Sequence, residues 1–170
     1  MVDYIRRFKG AEPVRGVDAR HAIAIDGDFS DWDGVEQVYY DDAGDTMHRD
    51  HRGWAAGSRY TNTSGRNDIV EARFAHDADT LYFYVETRRP VINYTDSNWM
   101  LLLLDVDRDR TTGWEGYDFV VNRDYADAWT CMLEHAADTA WNWENVRRVD
   151  RRAMGGRMEL AVPMSALGIT

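Results

Sequence analysis

A second cysteine, a long apolar run, an amphipathic helical period and an excess of basic side chains are all missing from this sequence. With Cys131 alone, no internal disulfide can form. Its neighbours Trp129, Met132 and Leu133 predict a buried thiol in a strand. No run approaches the roughly 18 apolar residues that a membrane span requires. The opening residues carry Asp3, Arg6, Arg7 and Lys9 where a signal peptide would turn apolar. A net charge of −10 argues against nucleic acid or an anionic membrane as partner and favours neutral ligands or cations. No Gly-x-Ser-x-Gly motif and no connectable Ser/His/Asp set is present, so an enzyme is not expected. Carboxylates are too numerous for any one pair to argue glycoside hydrolysis.

What is present begins with residues 98–122, where the sequence switches from apolar to acidic within one residue. Leu101, Leu102, Leu103 and Leu104 form a short run that predicts a central strand buried on both faces. Asp105, Asp107 and Asp109 then alternate, about 7 Å apart if extended, and residues 117–121 return as a second strand. Counted from Asp107, oxygen-bearing side chains fall at the first, third, fifth, ninth and twelfth places (Asp107, Asp109, Thr111, Glu115, Asp118), as in an EF-hand calcium loop. Glycine falls at the seventh place instead of the sixth, Asp replaces the final Glu, and no helices flank the loop. Asp105, Asp107, Asp109, Glu115 and Asp118 are therefore the candidate calcium ligands. The alternative is a solvated acidic turn propped by Arg108 and Arg110. His48, Asp50 and His51 form a weaker metal candidate, lacking further ligands at a recognisable spacing.

The rest of the chain alternates in short runs. Strands are expected at 22–25, 35–40, 68–75, 81–85, 128–133, 146–152 and 157–162, besides the two flanking the acidic loop. The last two runs are joined at Gly155-Gly156, and one helical turn follows from Pro163. Tyr82 and Tyr84 should face opposite to Leu81, Phe83 and Val85. Trp32, after the turn at 26–31, is expected to close one end of a core, and residues 41–65 form a long polar excursion. About nine short strands without an amphipathic helix predict an all-β antiparallel sandwich, jelly-roll or immunoglobulin-like. Residues 1–20 read as a leader or linker remnant and 21–170 as a single sandwich domain, open to truncation at its C-terminal end. The missing signal and the abrupt end together suggest a piece of a longer polypeptide.

Seven Trp and nine Tyr are more than a core of this size requires. Trp99, Trp114, Trp141 and Trp143, with Asn98 beside Trp99, sit at loops and strand ends. They are candidates for stacking on sugar faces, the alternative being burial in the core.

The succession of these pieces resembles the family 9-like carbohydrate-binding modules of the wider DOMON-like group. The matching residues are Ile25-Asp26-Gly27 with Asp31-Trp32, then Phe74-Ala75-His76-Asp77 with Thr80-Leu81-Tyr82-Phe83-Tyr84-Val85. Leu104-Asp105-Val106-Asp107-Arg108-Asp109 follows, with Thr112-Gly113-Trp114 and Tyr117-Asp118. The resemblance covers roughly residues 20–165 and lies in the order of the motifs, none of which is specific alone. It implies a calcium-stabilised, non-catalytic sandwich attached to a secreted or periplasmic polysaccharide-degrading enzyme. Its partners would be a polysaccharide or oligosaccharide and the parent catalytic domain. A structural accessory domain that packs against the enzyme without binding sugar is the alternative. A haem-binding relative would need an axial Met and His, and the adjacent Met47 and His48 cannot straddle a ring.

Overall fold

The computed structural model describes residues 20–53, 56–96 and 99–169. The expected leader, apart from Arg20, and the candidate Asn98 lie outside the described residues. The described residues form ten strands: β1 (Val38–Tyr40), β2 (Arg49–Arg52), β3 (Arg59–Asn62), β4 (Ile69–His76), β5 (Thr80–Thr87), β6 (Leu102–Leu104), β7 (Phe119–Tyr125), β8 (Thr130–Ala136), β9 (Trp143–Met154) and β10 (Arg157–Pro163). Two short 3-10 helices, Phe29–Gly34 and Met164–Leu167, are the described helical elements. Among the described residues no helix is long and apolar enough to cross a membrane.

The expected all-β, antiparallel class is observed. Eight strands share one hydrogen-bonded order, β1-β4-β5-β10-β9-β8-β7-β6, strongly curled into a half-barrel, while β2 and β3 pair separately as a hairpin. The curl centres on β9. Residues Thr130–Ala136 of β8 pair with Trp143–Asp150 of β9, whereas β10 takes up only the last four residues, Arg151 to Met154. Past that point β9 and β10 part, and a cavity of about 460 Å³ lies between Val149 of β9, Ala161 of β10, Tyr82 and Ile23.

Alternation along β5 and β10 fills two cores. Phe119, Val121, Cys131, Leu133, Val149, Leu160, Val162 and Leu167 form the inner one, joined by Leu81, Phe83, Leu102 and Leu104. Tyr82, Tyr84 and Ala75 face the other way, under Ile23, Phe29, Trp32 and Val35, as their period-two spacing requires. Each fully buried aliphatic side chain contributes roughly 1.5–3 kcal/mol relative to exposure. Cys131 is buried, and burial pushes its thiol up to about 12, so it is inert as a nucleophile at neutral pH.

Turn chemistry sets the hairpins. At the β4–β5 turn, Asp77 Oδ1 accepts from the amides of Asp79 and Thr80 at 2.9 and 2.8 Å, and Oδ2 accepts from the Tyr82 hydroxyl at 2.7 Å. These bonds hold the Asp77 carboxyl below the usual carboxylate range.

Several expectations are corrected. The leucine run forms an edge strand rather than a central one: β6 pairs with β7 alone and is half-buried. Leu102 and Leu104 reach the inner core, but three residues at the end of the order have no second strand to cover them. Residues 22–25 form no strand, although Ile23 is buried and the His21 amide bonds the His76 carbonyl at 2.8 Å. The polar excursion at 41–65 contains β2 and β3, exposed and without apolar alternation, so periodicity could not reveal them. Within this hairpin Asp50 pairs with Arg59 and the His51 ring lies 5.4 Å from Tyr60.

Candidate functional site

The turn between β6 and β7 is built on its own carboxylates. Asp118 is buried at the foot of β7, where its amide bonds the Leu104 carbonyl at 2.9 Å and its Oδ2 accepts from the Val106 amide at 2.8 Å. Asp105 Oδ1 accepts from the Arg108 amide at 2.6 Å, and Asp107 Oδ1 accepts from the Asp109 amide at 2.7 Å. Asp107 Oδ2 accepts from the Thr112 hydroxyl at 3.0 Å. Arg108 consequently adopts a φ of 61°.

This wrapping brings Asp105, Asp107 and Asp118 together, each offering an oxygen within 4.8 Å of the others. It is the one such grouping of His, Cys, Asp and Glu among the described residues. Three carboxylates so close repel one another unless a cation lies between them. Arg108 and Arg110 make no ion pair with them among the described residues. An all-oxygen donor set suits a hard cation such as calcium or magnesium rather than zinc or copper.

Asp109 and Glu115 stand outside the group. Asp109 Oδ1 is turned to Thr111, accepting from its amide at 2.9 Å and its hydroxyl at 2.7 Å, which holds the Asp109 carboxyl below its ordinary range. Glu115 is exposed at a φ of 53°. The first and twelfth places of the EF-hand count are thus brought together, joined by Asp105 from before the count. The third and ninth are not.

The turn ends in a tight bridge in which the amides and carbonyls of Trp114 and Tyr117 exchange bonds of 3.0 and 2.9 Å. Trp114 and Tyr117 lie near parallel with centroids 6.4 Å apart. Across the sheet end, Asp138 organises the β8–β9 connection by accepting from the Ala140 amide and the Asn142 side-chain amide, each at 2.8 Å. Trp141 thereby meets Trp114 edge-on at 4.4 Å and Trp143 edge-on at 5.2 Å. The result is a continuous aromatic ledge beside the three carboxylates, with Trp141 42% exposed at its crest. Trp143 Nε1 is buried without a hydrogen-bond partner.

Trp99 does not join the ledge. It is 4% exposed, and its ring lies 4.9 Å beneath the Arg151 guanidinium. Tyr117 does join it, although the sequence marked it only as part of the motif Tyr117-Asp118 and not as a sugar-stacking candidate. Its signal was position alone, three residues after Trp114 across a glycine turn.

Compared with protein-family models, curated proteins and solved structures, the chain matches none.

Proposed function

We propose that the chain is a non-catalytic carbohydrate-binding module, stabilised by calcium, that holds a secreted or periplasmic glycan-degrading enzyme near its polysaccharide. The observation that carries this reading is the ledge of Trp114, Tyr117, Trp141 and Trp143 lying against the acidic turn. Exposed aromatic faces stack on the C–H faces of neutral sugars, and Trp141 and Tyr117 offer such faces, 42% and 38% exposed. The order of motifs that resembles family 9-like modules supports the same reading. So does the curled sheet, whose limbs β1-β4-β5-β10 and β9-β8-β7-β6 we read as the two layers of a sandwich enclosing the inner core. Tethering of this kind raises the local substrate concentration and requires no chemistry from the module.

Calorimetric titration of the calcium-loaded chain with a panel of neutral oligosaccharides is expected to detect binding. Trp141→Ala should weaken it at least tenfold while leaving the melting temperature within a degree or so, because the ring is a surface contact. Absence of heat with every sugar in the panel overturns the reading.

Calcium, in this reading, sits among Asp105, Asp107 and Asp118 and braces the turn that carries Trp114. At a hundredfold excess over its Kd it should add about 2.7 kcal/mol, roughly 5–10 °C in melting temperature for a domain of this size. Asp118→Asn is expected to abolish the calcium-dependent part of that shift. An identical melting temperature in calcium and in chelator overturns the metal assignment.

A packing-only accessory domain is favoured by one feature, the two exposed tyrosines Tyr39 and Tyr40 on edge strand β1. It is distinguished by the same titration, since it binds no sugar.

A further inference from the structure

At the base of β9, where pairing passes from β8 to β10, Arg151 is fully buried. Its Nη1 donates to Asn122 Oδ1 at 2.7 Å and its Nη2 to the Asp127 carbonyl at 2.9 Å. Neither partner is charged, and Arg151 makes no ion pair with a carboxylate among the described residues. The neighbouring Asp127 carboxylate attracts the guanidinium from a distance, but its Oδ1 accepts from the amides of Trp129 and Thr130 at 2.7 Å each and it forms no ion pair with Arg151 among the described residues. Arg151 Nε has no hydrogen-bond partner among the described residues. A buried guanidinium with uncharged partners and an idle donor is costly unless something anionic completes it.

Arg151 lines a cavity of about 240 Å³ whose other walls include Tyr94, Trp99, Trp129, Ile92 and Met154. The guanidinium carbon lies 5.2 Å from the Tyr94 ring centroid and 4.9 Å from that of Trp99. A second orphan belongs to the same wall, since Trp99 Nε1 is also buried without a partner. Two residues lining one pocket thus each carry a buried N–H donor without a partner among the described residues, and one of them is cationic. At the rim, Trp129 is 58% exposed with Arg152 4.9 Å above its ring, which adds a second positive charge at the entrance. The volume is below the range for drug-sized ligands and suits one small ring.

We propose that this pocket binds a carboxylate carried on a single small ring, a hexuronate residue being the type. The carboxylate would take the idle donors of Arg151 and Trp99, and the ring would lie against Trp129 at the mouth. A planar guanidinium suits a carboxylate better than a point charge does. The pocket shares no side chain with the ledge around Trp141, so it goes beyond the proposed sugar platform and stands or falls separately.

The test is titration of the whole chain with D-glucuronate, acetate and D-glucose, followed by tryptophan fluorescence and by backbone NMR shifts. Glucuronate is expected to bind at least tenfold more tightly than glucose or acetate, with shifts concentrated at Tyr94, Trp99, Trp129 and Arg151. Arg151→Lys keeps the charge but loses the planar fork and should weaken glucuronate at least tenfold. Should that variant fail to fold, Trp129→Ala changes only the exposed rim and should weaken glucuronate at least fivefold at unchanged melting temperature. Trp141→Ala should leave glucuronate binding unchanged. Glucose matching glucuronate overturns the carboxylate assignment, and acetate matching it overturns the ring. No binding of glucuronate to the folded chain, or wild-type affinity in Trp129→Ala, overturns the site.

Discussion

Trp32→Ala is expected to lower stability by about 3–5 kcal/mol in urea unfolding, the range for a large buried aromatic. The indole is 1% exposed and lies 5.3 Å from the ring of Tyr84. Its Nε1 donates to Glu159 Oε2 at 2.9 Å, while Glu159 Oε1 accepts from the Gly27 amide at the same distance. Glu159 is itself fully buried on β10, so one carboxylate fastens the N-terminal 3-10 segment to the outer face of the sheet. Trp32→Phe separates the two contributions, because it keeps most of the ring and removes the donor. It should cost roughly 1–3 kcal/mol, the range for an unmatched buried polar group.

The pH dependence has a definite sign. Burial raises the Glu159 carboxyl above its ordinary value, although the bonds from Trp32 and Gly27 oppose the shift. The folded chain therefore keeps this proton to higher pH than the unfolded chain does. The contribution of Glu159 to stability is fully present below the ordinary carboxylate range and is lost as pH rises through the raised value. Removing the Trp32 donor raises that value further, so the deficit of Trp32→Phe should grow between pH 4 and pH 7. A deficit that is flat with pH, or below 0.5 kcal/mol throughout, contradicts the account.

Gly113→Ala is expected to cost roughly 2–4 kcal/mol and to remove the calcium response with it. Gly113 has a φ of 58°, and a Cβ there would lie 2.0 Å from the Tyr117 carbonyl oxygen. That oxygen accepts the Trp114 amide and cannot retreat without opening the bridge. Asp118 follows immediately, so an opened bridge moves the buried carboxylate away from Asp105 and Asp107. Gly155→Ala provides the comparison. Its φ of 60° is the same in kind, but no atom lies within 4 Å of the added Cβ, and only the backbone strain of about 1 kcal/mol should appear. Equal losses in the two variants would show that the close approach at Gly113 carries no weight.

The parts of the fold legible in the sequence were those with short apolar runs, as at β7 and β8, or with apolar residues alternating over at least five positions. β4, β5 and β10 follow from that rule, as do the opposite faces of Tyr82 and Phe83 and the glycine turn before Arg157. The polar strands β2 and β3 carried no such signal, and β9 exceeds the expected 146–152 at both ends, because Trp143 to Asn145 still pair with β8 and Ala153 and Met154 pair with β10. Leucine content alone misplaced β6, since a run of four reports hydrophobicity and not the number of neighbouring strands. At the site, spacing identified the acidic turn and three tryptophans of the ledge. It could not show that Asp109 bends back to Thr111, nor that Trp99 lies under a buried arginine, because both depend on tertiary contacts.

The strand order also bears on how the chain assembles. From β6 to β10 every neighbour in the sheet is a neighbour in sequence, and β4 and β5 form a hairpin of their own. The two parts meet along β5 and β10, where Glu86 pairs with Arg157 and Thr80 with Pro163. Closing a loop of about 70 residues costs on the order of 4 kcal/mol in chain entropy, and this is the longest closure in the strand order, since β1 joins β4 over about half that length. The meander and the hairpin can form from local contacts, so docking of β5 on β10 is expected to set the folding rate, and substitutions along that seam should slow refolding in stopped-flow measurements.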